Sequence, residues 1–310
     1  MLFSLDRENF IKFQLKYARE EDCIDLMFSL KWPEGYQCPR CRHAFFYQIS
    51  TRRLPLYQCR SCHTQTSLIA GTLMEGSRTP LHLWFHAIFL HAQPLGVNAR
   101  QLSQAIGVTY KTAWLMSHKI RHAMTQSDSG KMLSGIVRVS DSVYSKRMVP
   151  TFDWHPQEQP LLIGSSDDIN GEPSFIVVKH QSKASLKDRF DCPDPRSFIQ
   201  DHVHPDSIET TVFTRRYGPN MNKKLAWMGY EITRWIGMIY RGIGPKHLQA
   251  YLNQFCYSYN RSKSPIYPQL LADCIASRRI TYPALTRKSL SSPRSLQRVR
   301  TWPRPSAAIR

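Results

Sequence analysis

Apolar side chains recur every three to four residues along the first 35 positions, through Phe10, Phe13, Tyr17, Cys23, Leu26, Met27 and Leu30, and predict amphipathic helix. Trp32-Pro33-Glu34-Gly35 stops it. Residues 81–92 are apolar except at His82, His86 and His91, which predicts a buried helix too short to span a membrane. Over residues 99–114, Leu102, Ala105 and Ile106 make one apolar face and Gly107 permits a tight turn. Thr109 then caps a second helix, whose core positions are Val108, Ala113, Trp114 and Ile120. This is a helix-turn-helix pattern. Small polar residues over 125–131 read as a linker, after which the pattern changes to strands at 135–144, 161–164 and 174–178. The last two flank Asp167-Asp168-Ile169-Asn170-Gly171, whose Asn-Gly signals a hairpin turn. Helices are expected at 185–190, 196–203, 223–236 and 245–259, and a short strand at 207–213. Antiparallel strands followed by alternating helices and strands predict a multi-domain α+β chain.

Charge narrows the class of partner. With 310 residues and 42% hydrophobic positions the chain can bury a core, and 42 Lys and Arg against 23 Asp and Glu give a formal charge of +19. Such a balance favours a polyanion, nucleic acid before membrane, because no run of 18 apolar residues exists. Asp6 and Glu8 stand where a signal peptide needs a basic and then an apolar run, so a cytoplasmic protein is expected. Residues 76–127 hold no carboxylate but carry Arg78, Arg100, Lys111, Lys119 and Arg121. In a helix-turn-helix the start of the second helix enters the major groove, so Tyr110, Lys111 and Thr112 are expected to read base edges or phosphates. Arg100, Lys119 and Arg121 are the further cations expected to meet DNA. Residues 281–310 hold seven Lys or Arg and no acid, with four Pro and five Ser, and read as a disordered basic tail.

Cysteine spacing supplies the clearest chemistry. Cys38-Pro39-Arg40-Cys41 and Cys59-Arg60-Ser61-Cys62 are two Cys-x-x-Cys turns with 17 residues between Cys41 and Cys59, a spacing that suits zinc. Each half is expected to be a strand leading into a turn that presents two thiols. Four thiolates leave no open position for water, which favours structural over catalytic Zn²⁺; a redox role for either pair is the alternative. Cys23, Cys192, Cys256 and Cys274 are isolated and read as ordinary thiols.

Taken together, several blocks make the chain resemble bacterial insertion-sequence transposases with an N-terminal zinc ribbon, over about residues 1–262. They are 30–41, 57–67 with Ala70-Gly71-Thr72, Tyr110-Lys111-Thr112-Ala113-Trp114, and 246–261. The resemblance implies N-terminal helices and ribbon at 1–75, a helix-turn-helix region at 76–127, and an RNase H-like α/β domain with a mixed sheet at 135–262. It also implies DNA as partner, both element terminal repeats and target, a homo-oligomer assembled on that DNA, and a nucleoid-associated location. In that family acidic side chains hold two divalent metals, Mg²⁺ or Mn²⁺, for phosphodiester cleavage and strand transfer. Here the matching positions depart from the pattern: Val139-Ser140-Asp141 puts Ser140 at the first acid, and the strand at 207–213 puts Thr211 at the second. A third position falls near Glu231. The resemblance therefore implies a transposase that binds element ends with cleavage impaired. Two alternatives stand beside it. One is an active enzyme with shifted acids Asp141, Glu209 and Glu231, although Ser140 and Asp141 leave a strand on opposite faces. The other is a zinc-ribbon transcription regulator that never cut DNA.

Overall fold

The computed structural model describes residues 7–145, 154–188, 190–214 and 220–286. The chain opens with α1 (Arg7–Lys16) and α2 (Glu21–Lys31). They are separated by a turn in which the Asp22 carboxylate accepts from the Arg19 amide at 2.8 Å. A small antiparallel sheet follows, β1 (Phe46–Ile49), β2 (Leu56–Cys59) and β3 (Gln65–Ser67), in that order. The expectation of a strand before each cysteine pair holds only for β2; the first pair precedes its strand, β1. Next come α3 (Leu81–His91), α4 (Ala99–Ile106) and α5 (Tyr110–Asp128).

The second half holds β4 (Ile136–Tyr144), β5 (Gln159–Asp167), β6 (Pro173–His180), α6 (Arg196–His202), β7 (Glu209–Phe213), α7 (Lys223–Tyr240) and α8 (Pro245–Asn260). Its sheet runs β6-β5-β4-β7, with the first three strands antiparallel and β7 parallel to β4. The architecture is thus mixed α+β with a four-stranded mixed sheet. No helix forms over the described part of 185–190: the Asp188 carboxylate accepts from the Phe190 and Asp191 amides and closes a local turn instead. Two further helices end the described chain, α9 (Ile266–Ala276), which the sequence pattern did not predict, and α10 (Tyr282–Thr286). The start of the expected disordered tail is therefore helical, while 287–310 lie outside the described residues. No helix among the described residues is long and apolar enough to cross a membrane.

One continuous core runs from Phe10 to Met124 and takes in Leu270, Leu271, Cys274 and Ile275 of α9, so the expected boundary after residue 75 falls inside it. A second core lies between one sheet face and α7 with α8, and a third lies on the opposite sheet face, where Val137, Val139 and Leu162 meet Phe198 of α6. The buried Arg121 of α5 bridges the first two: its Nε donates to Gln254 Oε1 of α8 at 2.7 Å, and its guanidinium lies 4.0 Å from the Tyr251 ring centroid. Arg261, just past the end of α8, grips Asp128 of α5 at 2.6 Å, and the Asn98 side-chain amide Nδ2 donates to the Ile239 carbonyl at 3.0 Å.

Three histidines sit in this interior. Burial lowers His86 to about 4 and His91 and His118 to about 3, helped at His91 and His118 by the Arg121 charge. Because the folded values lie below the unfolded value near 6.5, unfolding takes up protons as pH falls below about 6.5. Stability then declines by up to ~1.4 kcal/mol per pH unit for each histidine. Urea unfolding at pH 5.0 should show a lower midpoint than at pH 7.5; equal midpoints would contradict neutral, buried imidazoles.

Candidate functional site

The four cysteines of the ribbon converge. Their sulfur atoms all lie within 4.8 Å of one another, with Cys38 to Cys62 and Cys41 to Cys59 each at 3.5 Å. A tetrahedron with Zn–S bonds of about 2.3 Å places its sulfurs roughly 3.8 Å apart, so the cluster fits zinc without rearrangement. Each pair is shaped by the same knuckle. The Arg42 amide donates to the Cys38 carbonyl at 2.9 Å and the His63 amide to the Cys59 carbonyl at 3.1 Å. Arg42 and His63 themselves take left-handed backbone, φ 62° and 55°. The Thr64 hydroxyl, 3.3 Å from Cys62 Sγ, and the Thr64 amide hold that thiol down at about 6. The His43 amide lowers Cys41, but hydrogen bonding with the Cys62, Cys59 and Cys38 thiols outweighs it and pushes Cys41 up to about 12. All four sulfurs meeting at one point favours metal over pairwise redox chemistry. Behind them Phe28, Trp32, Tyr36, Phe46 and Tyr57 pack ring against ring, fixing the ribbon to α2.

The pair α4 and α5 forms as the sequence pattern predicts. Asn98 and Gln101 make a reciprocal capping box, Gly107 takes φ 68° at the turn, and the Thr109 hydroxyl accepts from the Thr112 amide at 3.2 Å to start α5. Arg100, Tyr110 and Lys111 are exposed and Thr112 is half-buried, with Tyr110, Lys111 and Thr112 together on the first turn of α5. Lys119 and Arg121 are not exposed. Lys119 is buried and donates to the Leu73 carbonyl at 3.4 Å, with burial lowering its pKa. Arg121 is spent on Gln254 and Tyr251. Their partners come from distant segments, which a helical-face reading of 110–128 does not contain.

On the large sheet, side-chain alternation separates the acids expected to act together. Ser142 packs toward α7, where an added Cβ on Gly229 would meet it, so Arg138 and Ser140 face that helix too. Asp141 leaves on the opposite face, in step with Val137 and Val139 of the third core, and is buried. Glu209 and Thr211 of β7 lie on the α7 face, level with Ile136 and Arg138. Glu231, on α7, is clasped by Arg234 at 2.8 Å. Asp141, Glu209 and Glu231 are therefore not brought together, and among the described residues only the four cysteines group as metal ligands.

What occupies that face is an arginine that sequence reasoning missed. Arg138 Nη1 donates to Glu209 Oε1 at 2.7 Å and to Thr211 Oγ1 at 2.8 Å, and its Nε lies 3.7 Å from Asp167. The Thr211 hydroxyl donates to Glu209 at 2.6 Å, and Ser165 to Asp167 at 2.6 Å. The Thr211 hydroxyl and the Arg138 charge hold the Glu209 carboxyl below its ordinary range. Period-two alternation was the available signal, since Arg138 is two residues before Ser140 on the same strand. A divalent cation needs carboxylates free to coordinate it, and a guanidinium that never deprotonates already engages both acids. These residues do not fit a two-metal centre.

Purified protein should carry one zinc per chain by elemental analysis, falling to near zero in Cys59→Ser/Cys62→Ser; unchanged zinc in that variant would refute the site. Arg121→Met should cost about 2–4 kcal/mol in urea unfolding, because it removes the cation stacked on Tyr251 and one of two donors to Gln254 Oε1, leaving only the Tyr240 hydroxyl. DNA affinity of the folded variant should stay within about twofold at a site where Arg121 touches no phosphate; a large loss of affinity with unchanged stability would return Arg121 to the DNA surface.

Residues 18–65, which include all four cysteines, match the family described as transposase zinc-ribbon domain. No solved structure matches the chain. A curated relative, the uncharacterized protein in transposable element ISH50 of Halobacterium salinarum, is 28% identical over 109 residues, 35% of this chain. The matched stretch spans 37% of that relative's length. The ribbon is thus similar to that of transposases, and the chain is similar to a protein carried by a transposable element.

Proposed function

We propose that this protein is an insertion-sequence transposase that binds the terminal repeats of its element through α4 and α5, acting as a helix-turn-helix, and does not cut them. The observation that carries the reading is Arg138, set between Asp167 and Glu209 on the sheet face that also bears Ser140 and Thr211. The β6-β5-β4-β7 order, with a parallel β4–β7 pair after an antiparallel meander, supports an RNase H-like domain. In such a domain two Mg²⁺ or Mn²⁺ ions activate the attacking oxygen and steady the leaving one. A guanidinium engaged with Asp167 and Glu209 on this face supports the reading that such ions are not held there.

Support for DNA binding comes from the charge of +19 and from the exposure of Arg100, Tyr110 and Lys111. The start of α5 presents free amides, the positive end of the helix dipole, and Lys111. Tyr110 and Thr112 are the groups that read base edges, while Arg100 and Lys111 hold phosphates. The target DNA and a second copy of the chain are the further partners this reading requires.

Gel shifts on element-end duplex should show Arg100→Ala and Lys111→Ala weakening binding, each lowering the salt slope by about one unit. Tyr110→Ala and Thr112→Ala should change sequence preference instead, and four variants that bind like the parent would remove the helix-turn-helix. In a cleavage assay with Mg²⁺ or Mn²⁺ the parent should leave element ends intact. Arg138→Val/Ser140→Asp/Thr211→Asp should gain detectable nicking. Efficient cutting by the parent, abolished by Glu209→Gln, would establish catalysis by the native residues.

A further inference from the structure

A cavity of about 880 Å³ opens where α1 and the end of α3 meet α7 and α8, and it belongs to none of the sites above. Its walls are aromatic and come from both cores. From the first core, Phe13 stacks on Phe89 with centroids 4.2 Å apart, and Tyr267 meets Phe13 edge-on at 4.9 Å. From the second come Trp235, Phe255 and Tyr259. Trp235 is held by its indole N–H on the Leu95 carbonyl at 3.1 Å, and Tyr259 by its hydroxyl on the Pro173 carbonyl at 3.0 Å. These rings are fixed before any ligand arrives.

Charge at the cavity has one sign. Lys12 and Lys16, one turn apart on the exposed side of α1, line it, and no Asp or Glu does. Lys12 also pairs with the exposed Glu8 at 2.7 Å, a surface contact that water weakens. The volume lies within the range of about 300–1,000 Å³ found for small-molecule sites. An aliphatic ligand would leave the lysines unused, and a bare anion would leave the rings unused. A planar base carrying a phosphate uses both, with its π-face on the rings and its phosphate on the ammonium groups.

We propose that this cavity holds an unpaired nucleotide of single-stranded DNA, such as an overhang or a frayed end. The inference deepens the DNA-binding reading, but its residues are separate from the α4–α5 surface. The same chemistry is present in a free nucleotide, and the test separates the two.

A short oligothymidylate carrying one 2-aminopurine reports stacking by loss of fluorescence. With the full-length protein the fluorescence should fall saturably. Lys12→Glu/Lys16→Glu should weaken that binding about tenfold or more, and Ser262→Trp, which narrows the cavity without changing charge, should do the same. Lys111→Ala should leave the quenching intact. Loss of the parent's duplex binding with normal quenching would sink the helix-turn-helix reading and keep this one. No quenching, or quenching that both cavity variants leave unchanged, would overturn the proposal. Thymidine monophosphate competing as strongly as the oligonucleotide would overturn it in favour of a free nucleotide.

Discussion

Successive side chains of a β-strand leave on opposite faces, and on β4 that alternation decides what the sheet can do. Val137, Val139 and Asp141 go to the side covered by α6, while Arg138, Ser140 and Ser142 go to the side covered by α7. The parallel pairing with β7 then puts Glu209 and Thr211 beside Arg138 rather than beside Asp141. No small adjustment reverses this, because sliding β4 by one residue would turn Val137 and Val139 away from their core. A carboxylate at position 141 is thus no substitute for one at 140. The arginine two residues earlier pairs with Glu209 and Asp167, the acids on that face.

The N-terminal half holds the parts on which the proposed DNA binding rests. The four thiols meet at the separation zinc requires, and α5 begins on a capped, glycine-led turn with Lys111 and Tyr110 exposed. The two halves are tied through α5, whose buried Arg121 reaches Gln254 and whose end is gripped by Arg261. A chain that binds DNA with one half while the other carries an arginine-filled sheet face is the physical content of the proposed function.

Much of this was legible in the sequence. Cys-x-x-Cys pairs, the Gly107 turn and the Thr109 cap are local signals, and local signals survive into the fold. Apolar runs rich in Val and Ile, with the Asn-Gly turn signal, likewise located β4, β5 and β6. What escaped depends on contacts between distant segments. Lys119 and Arg121 look like solvated cations until Leu73, Gln254 and Tyr251 are brought to them. Helix α9 covers the N-terminal core from the far end of the chain, so no local pattern announced that residues 10–124 need it. Arg138 shares the Ser140 face by alternation, but its acids, Asp167 and Glu209, come from β5 and β7 and meet it only in the folded sheet.

The proposed function rests on Arg138 engaging the carboxylates that a divalent metal would need, and Mn²⁺ tests it directly. Electron paramagnetic resonance of Mn²⁺ titrated into zinc-loaded protein distinguishes free from bound ion. The account predicts that the free-ion signal stays undiminished at equimolar protein, and that Arg138→Val/Ser140→Asp/Thr211→Asp lowers it. Mn²⁺ bound by the parent protein and released by Glu209→Gln would contradict the account.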